Sequence, residues 1–184
     1  MRAILFLVFV AVAAATAAAL SQFGFGGSDK VQIGNGNVSA LSRAERADDA
    51  LPPSVLGYPF ARHNFASPRG QGSRLLTTDG SLRVFAVPGK DRMLCLIEID
   101  DVTDTAGGAC ADRKVLLTGS IYMAARQDDA SWNVVGLVGD GHTYAQAEGQ
   151  RRPVANNAFV LRGVRADEVT IGNATATQTI DIGD

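Results

Sequence analysis

The chain has 184 residues, of which 46% are hydrophobic, and it carries 17 basic and 19 acidic side chains for a formal net charge of −2 at pH 7. This balance lacks the basic surface that a nucleic-acid partner requires, so we expect no nucleic-acid binding. Residues 54–184 suffice for one compact core and not for two.

Residues 1–21 are predicted to be an export segment. The run from Ala3 to Leu20 is almost entirely apolar, and a helix of its length spans about 27 Å, close to the ~30 Å hydrocarbon core of a membrane. Small residues at Ala17 and Ala19 also offer a cleavage site. The pattern predicts either a cleaved signal peptide or a transmembrane anchor. The rest of the chain is then extracytoplasmic, either secreted or held at the membrane by this segment.

Residues 22–53 are predicted to be a flexible linker with one short helix. Gly, Asn and Ser dominate residues 22–38, as they do in tethers. Leucine and alanine then recur at helical spacing between Leu41 and Leu51, which indicates a short amphipathic helix. Two prolines end this pattern at residues 52–53.

From Ser73 onward, short alternating runs separated by strong turn signals predict antiparallel strands. Asp79-Gly80 suits a hairpin turn, and Pro88-Gly89 suits a type II turn. We expect eight or nine strands in a single all-β domain over residues 54–184, folded as an antiparallel β-sandwich or a partly open barrel. The predicted strands are SRLLTT, LRVFAV, MLCLIEID, IYMAAR, WNVVGLV, HTYAQA, AFVLRG, EVTI and TQTIDI.

Cys95 and Cys110 are predicted to form a structural disulfide. A period of two along MLCLIEID turns Cys95 toward the core with Ile97 and Ile99. An exported chain with an even number of cysteines usually pairs them. Redox chemistry needs a thiolate stabilised by positive charge, and zinc needs further ligands at suitable spacing, so both alternatives are less favoured. We expect no metal and no cofactor.

Four acidic residues, Glu98, Asp100, Asp101 and Asp104, lie between the cysteines. Carboxylates are preferred ligands of Ca²⁺, although the spacing differs from that of an EF-hand loop. A pair of carboxylates is also the machinery of glycoside hydrolysis. The favoured interpretation is a solvent-exposed acidic loop, because polar loops at a sheet edge are often acidic.

His142 and Tyr144 lie on one face of a predicted strand that follows a turn at Asp140-Gly141. A histidine with serine and aspartate partners would make a catalytic triad. The sequence has none of the local motifs of such hydrolases. A surface histidine is the favoured interpretation.

Three aromatic residues, Tyr58, Phe60 and Phe65, surround His63. They are compatible with an aromatic ligand groove. The favoured interpretation is that their rings pack over one end of the core.

Four segments follow the apolar N-terminus in a distinctive order: LSRAERADDALP, a GGAC whose cysteine is the predicted partner of Cys95, VVGLVGDGHT and NNAF. This arrangement resembles a loose group of exported or membrane-anchored proteins of high-GC Gram-positive bacteria with no established activity. The resemblance implies structural motifs: a linker ending in Asp-x-Leu-Pro, a two-cysteine loop and a hairpin similar to GLVPDGV. This chain has Gly139 and His142 where that hairpin has proline and an aliphatic residue.

The sequence therefore predicts a non-enzymatic extracytoplasmic module that binds or scaffolds an unknown envelope protein or polymer, with the membrane as a further partner if the N-terminal segment is retained. The alternative is a cell-envelope hydrolase that uses the acidic residues or His142. Convergence of these side chains in one cleft would favour the hydrolase, and scatter over the surface would count against it.

Overall fold

The computed structural model describes residues 21–24 and 32–183. Residues 1–20, which hold the predicted N-terminal hydrophobic helix, lie outside these ranges. No helix in the described ranges is long and apolar enough to cross a membrane. The strands are β1 Ser21–Gly24, β2 Arg74–Asp79, β3 Leu82–Pro88, β4 Met93–Asp100, β5 Thr105–Asp112, β6 Ser120–Arg126, β7 Trp132–Val138, β8 Tyr144–Ala147, β9 Gln150–Pro153, β10 Ala158–Val164, β11 Glu168–Gly172 and β12 Thr177–Asp181, and the helices are α1 Pro53–Gly57 and α2 Pro59–Asn64.

The strands form three antiparallel sheets of four strands each, which confirms the all-β prediction. We call them the front sheet (β2-β3-β4-β5), the middle sheet (β1-β6-β7-β10) and the back sheet (β12-β11-β8-β9). Two hydrophobic clusters join them, one between the front and middle sheets and one between the middle and back sheets. The fold is therefore a layered sandwich in which no sheet closes into a barrel.

The middle sheet is buried on both faces, and its sequence shows why. Along β6, Ile121 and Met123 belong to the cluster shared with the front sheet, whereas Tyr122 and Ala124 belong to the cluster shared with the back sheet. Successive side chains point to opposite faces of a strand, so a continuous apolar run fills both clusters.

The outer face of the front sheet is covered by α1 and α2. Cys95, Ile97 and Ile99 of β4 pack there against Val55 and Phe65 in a third hydrophobic cluster. Proline stands in the first turn of each helix, where its missing N–H costs no hydrogen bond. The front sheet is thus also buried on both faces.

The amphipathic helix predicted between Leu41 and Leu51 is wrong. Two 3₁₀ helices form instead, at Ser39–Ser42 and Ala47–Asp49. The Asp49 side chain is fully buried and accepts hydrogen bonds from the backbone N–H groups of Arg46 and Leu75 at 2.7 and 2.8 Å. A side chain that binds nearby backbone in this way competes with a regular helix.

Residues 32–53 are packed on the sheets and do not form the flexible linker predicted for them. Ile33 is 1% exposed, and Val38 and Ala40 belong to the cluster between the front and middle sheets. The backbone N–H of Asp140 donates to the carbonyl oxygen of Asn37 at 2.7 Å. The packed body therefore begins well before residue 54, the predicted start of the domain.

The predicted disulfide is present between Cys95 and Cys110, and Cys95 is fully buried as predicted. The bond joins directly opposed residues of β4 and β5, with a Cα–Cα distance of 4.0 Å. The sequence prediction missed β5 because its Gly107-Gly108 pair resembles a turn. The exposed acidic loop is consequently short, since only residues 101–104 separate the two strands.

Candidate functional site

A cleft of about 460 Å³ opens between the front and middle sheets at the end of β4. We call it the acidic cleft, because Glu98 and Asp100 lie in its wall. Its other polar lining residues come from β5, β7, β10 and the ends of neighbouring strands: Thr103, Thr105, Gln127, Asn133 and Arg162. Its volume is in the range of small-ligand sites.

Glu98 follows Leu94 and Leu96 on the inner face of β4, where those two leucines fill the core. Gly107 is its cross-strand partner, and a Cβ atom there would lie 3.2 Å from the Glu98 carboxylate. The carboxylate is half-buried and accepts no hydrogen bond from the described residues. Burial, followed by the nearby charge of Asp100, raises the pKa of Glu98 above its ordinary value.

Asp100 shares the cleft but has a different environment. The backbone N–H of Val102 donates to its carboxylate at 2.9 Å. This hydrogen bond, and a second from the Ser81 hydroxyl, lower the pKa of Asp100 below its ordinary value. The two carboxyl groups of the cleft are therefore shifted in opposite directions.

Arg162 brings the only positive charge among the residues that line the acidic cleft in the described part of the chain. Its Nε atom donates to the Asp79 carboxylate at 2.6 Å, and its Nη2 atom donates to the Asp79 carbonyl oxygen at 2.7 Å. Arg162 is thereby committed to Asp79 and only partly offsets the charge on Glu98.

The other two acidic residues of the predicted group lie outside the cleft. Asp101 forms an exposed ion pair with Arg83, with Nε and Oδ2 2.8 Å apart. Asp104 is exposed on the loop before β5. The structure thus brings together Glu98 and Asp100 only.

His142 and Tyr144 do not belong to the acidic cleft. His142 is buried, with 7% exposure, and its Nδ1 atom lies 2.9 Å from the Gly139 carbonyl oxygen, so the prediction of a surface histidine is wrong. Its Nε2 atom has no hydrogen-bond partner among the described residues. Tyr144 is covered by the guanidinium of Arg151, 3.6 Å from the ring centroid.

Burial lowers the pKa of His142 below its ordinary value, so stability is expected to depend on pH. As pH falls below about 6.5, the unfolded chain binds a proton that folded His142 does not yet bind. Unfolding free energies measured between pH 8 and 5 should therefore fall by up to about 1 kcal/mol per pH unit in the affected window. The loss of unfolding free energy levels off below the pKa that His142 has in the folded chain.

This acid-side loss should disappear in His142→Phe and remain in His63→Gln, which replaces an exposed histidine. If both variants keep the same pH dependence as the parent chain, His142 is not the group responsible.

Tyr58 and Phe60 border an apolar pocket of about 230 Å³ between α2 and the front sheet. A Cβ atom on Gly108 would lie 2.6 Å from the Phe60 ring, so glycine is required beneath it. Phe65 is buried in the core, whereas Tyr58 is 41% exposed. Ring packing on the core is thus the main role of Phe60 and Phe65.

Sequence reasoning missed Gln127, Asn133 and Arg162 as residues of the acidic cleft. They lie on the far side of the cleft from β4 and come from distant parts of the chain, so no local pattern links them to Glu98. Within residues 32–183, no group of three or more His, Cys, Asp or Glu side chains is arranged to hold a metal ion.

No protein-family model, curated protein or solved structure matches the chain.

Proposed function

We propose that the chain is a non-enzymatic binding module of the extracytoplasmic space, and that its acidic cleft binds a cationic group of an envelope protein or polymer. The observation that carries the proposal is the carboxylate of Glu98, which is half-buried in a cleft and accepts no hydrogen bond from the described residues. A desolvated carboxylate without a partner costs free energy that a ligand donor would recover.

The charge of the cleft favours an ammonium or guanidinium group as that donor. Glu98 and Asp100 bring two carboxylates, and Arg162 is already bound to Asp79. The amides of Gln127 and Asn133 supply neutral groups for the rest of a polar ligand. Charge-assisted hydrogen bonds of this kind are the stronger ones.

The disulfide supports the extracytoplasmic part of the proposal, since such bonds persist in oxidising compartments. Residues 1–21 would provide export, as a cleaved signal peptide or a membrane anchor. The resemblance to exported or membrane-anchored proteins of high-GC Gram-positive bacteria points the same way.

A second candidate, a cell-envelope hydrolase, is favoured by one observation. Glu98 and Asp100 share a cleft and have pKa values shifted in opposite directions, as in enzymes that use one carboxylic acid and one carboxylate. Asp100, however, is engaged with the backbone of Val102 in the turn after β4. His142 contributes nothing to this alternative, because it lies outside the cleft.

The binding proposal is tested by photo-crosslinking in intact cells that produce the full chain. A photoreactive residue at Thr103, on the cleft wall, should yield a crosslinked product, and the added change Glu98→Gln should reduce its yield at least fivefold. The control Glu168→Gln removes an exposed carboxylate on β11 and should leave the yield unchanged.

An unchanged yield with Glu98→Gln would contradict binding through this carboxylate. Release of soluble fragments from purified envelope by the parent chain, abolished by Glu98→Gln, would instead establish the hydrolase.

A further inference from the structure

A second cleft, of about 470 Å³, lies at the opposite end of β4 from the acidic cleft. It is bordered by residues 35–37, by the turn between β3 and β4, and by the segment that follows β5. We call it the basic cleft, because Arg92, Arg113 and Lys114 line it.

The three cations of the basic cleft are available to a ligand. All three side chains are exposed, and none of them pairs with a carboxylate in the described part of the chain. The one acidic lining residue, Asp112, accepts a hydrogen bond from the backbone N–H of Lys114 at 2.9 Å. The cleft therefore carries an excess of positive charge.

The backbone that presents Arg92 is strained. Asp91 and Arg92 both adopt left-handed conformations, with φ values of 50° and 66°, which is unfavourable for residues other than glycine. The prediction of a type II turn at Pro88-Gly89 is wrong. Gly89 has a φ of −95°, and the positive φ values occur at Asp91 and Arg92 instead. A glycine at residue 92 would relieve this strain and would also remove the guanidinium group from the basic cleft.

The remaining lining residues suit a sugar ring. Pro88, Met93 and Leu117 provide apolar surface, and Leu117 is 36% exposed. Asn35 and Asn37 also line the cleft and are exposed, so their amide groups can meet hydroxyl groups. The volume of the cleft fits a ligand of one or two sugar units.

We propose that the basic cleft binds a phosphorylated sugar unit, with Arg92, Arg113 and Lys114 on the phosphate. Guanidinium groups match phosphate oxygens in a bidentate way, and lysine adds a point charge. The phosphate comes from either a free sugar phosphate or a repeating unit of an envelope polymer. This site is separate from the acidic cleft and stands without it.

The test is a calorimetric titration of the full chain with glucose 6-phosphate, glucose and inorganic phosphate. Glucose 6-phosphate should bind at least tenfold more tightly than either of the others, and its affinity should fall as salt is added. A phosphodiester-linked oligosaccharide that binds at least tenfold more tightly still would identify a polymer as the source, and equal affinity would identify the free sugar phosphate. Equal affinity for phosphate and glucose 6-phosphate, or no binding of either, would overturn the proposal.

Two glycine variants separate the contribution of the Arg92 side chain to binding from the effect of backbone strain on stability. Arg92→Gly should raise the melting temperature by about 2–4 °C and weaken glucose 6-phosphate binding at least tenfold. Asp91→Gly, the matched control, should raise the melting temperature in the same way and leave the affinity unchanged. Unchanged affinity in Arg92→Gly would refute the assignment.

The double variant Arg113→Ala with Lys114→Ala keeps the turn intact and gives a second test. The side chains that it removes are exposed, so the melting temperature should stay within about 2 °C of that of the parent chain. Its affinity for glucose 6-phosphate should fall at least tenfold. Retained affinity would overturn the proposal whatever the folding of Arg92→Gly.

Discussion

Replacing Asp49 with asparagine is expected to lower the free energy of unfolding by about 3 kcal/mol. The Asp49 carboxylate is fully buried and forms a bidentate ion pair with Arg43, with N–O distances of 2.6 and 2.5 Å. It also accepts two backbone hydrogen bonds, one of which fixes the segment to Leu75 of β2. Asparagine cannot satisfy all four donors, and Arg43 loses its counter-charge.

Urea denaturation of the variant at pH 7 measures this loss. Asp48→Asn is the matched control, because Asp48 is the exposed neighbour in the same 3₁₀ helix, and its stability should stay within about 0.5 kcal/mol of the parent chain. A loss below about 1 kcal/mol in Asp49→Asn would show that the ion pair adds little beyond its surroundings.

The same ion pair predicts a loss of stability in acid. Burial disfavours the ionised form of Asp49, but hydrogen bonds from Arg43 and from the backbone of Arg46 and Leu75 outweigh it and lower its pKa to about 2. Because the unfolded pKa is near 4, this contribution is present at neutral pH and is lost as pH falls from about 4 toward 2. Asp49→Asn should flatten the stability profile in that window.

Removing the disulfide is the second large effect, with an expected loss of about 3 kcal/mol in the chain-entropy model for a loop of this size. Cys95 and Cys110 are 15 residues apart, and the bond ties β4 to β5. The double variant Cys95→Ala with Cys110→Ala keeps both positions small and apolar. Guanidinium denaturation should show the loss in the double variant and in the reduced parent chain.

Addition of reductant to the double variant is the control, and it should change nothing. Intact-mass measurement of the purified parent chain after alkylation without reductant should find neither cysteine labelled. Labelling of both cysteines would contradict the disulfide, and equal stability of the parent chain and the double variant would contradict its energetic role.

The hairpin of β4 and β5 contributes to both proposed sites. Met93 and Asp112 pair at the basic cleft, whereas Glu98 and Gly107 pair at the acidic cleft. The disulfide lies between the two ends. The hairpin therefore needs fixed geometry along its whole length.

Short alternating or continuous apolar runs between turn signals were enough to predict nine of the strands between β2 and β12. Two strands in that range were missed for physical reasons. β5 contains Gly107-Gly108, whose missing side chains make room for Glu98 and Phe60, and glycine pairs are typical of turns. β9 contains Arg151 and Arg152, exposed residues that carry no hydrophobic pattern.

The linker prediction failed over residues 32–53 for a different reason. Their sequence reads as a linker, yet their order depends on long-range partners such as Leu75 and Asp140, which only the fold brings near. Glycine has a structural role here, because Gly34 has a φ of 81° and a Cβ atom on it would lie 1.7 Å from the Asp140 carbonyl oxygen. Composition alone does not distinguish a mobile tether from a chain that is docked.

One wall of the acidic cleft could be predicted from the sequence, and the other could not. The period of two along β4 places Glu98 and Asp100 on one face, but the opposing wall from β7 and β10 depends on sheet stacking. Asp101 and Asp104 have the same chemistry and lie close in sequence, yet they fall outside the cleft. Only the three-dimensional structure shows that Glu98 and Asp100 line the cleft and that Asp101 and Asp104 do not.

The most direct test of binding through the acidic cleft is an NMR titration of the full chain with Nα-acetyl-lysine amide, whose side-chain ammonium is free. Maltotriose is the neutral control. The amine is expected to shift the backbone signals of Thr103, Thr105 and Asn133 in a saturable way, with at least fivefold weaker binding in Glu98→Gln. Maltotriose should cause no such shifts. Identical titrations of the parent chain and Glu98→Gln, or equal shifts with maltotriose, would contradict a cation-binding role for this cleft.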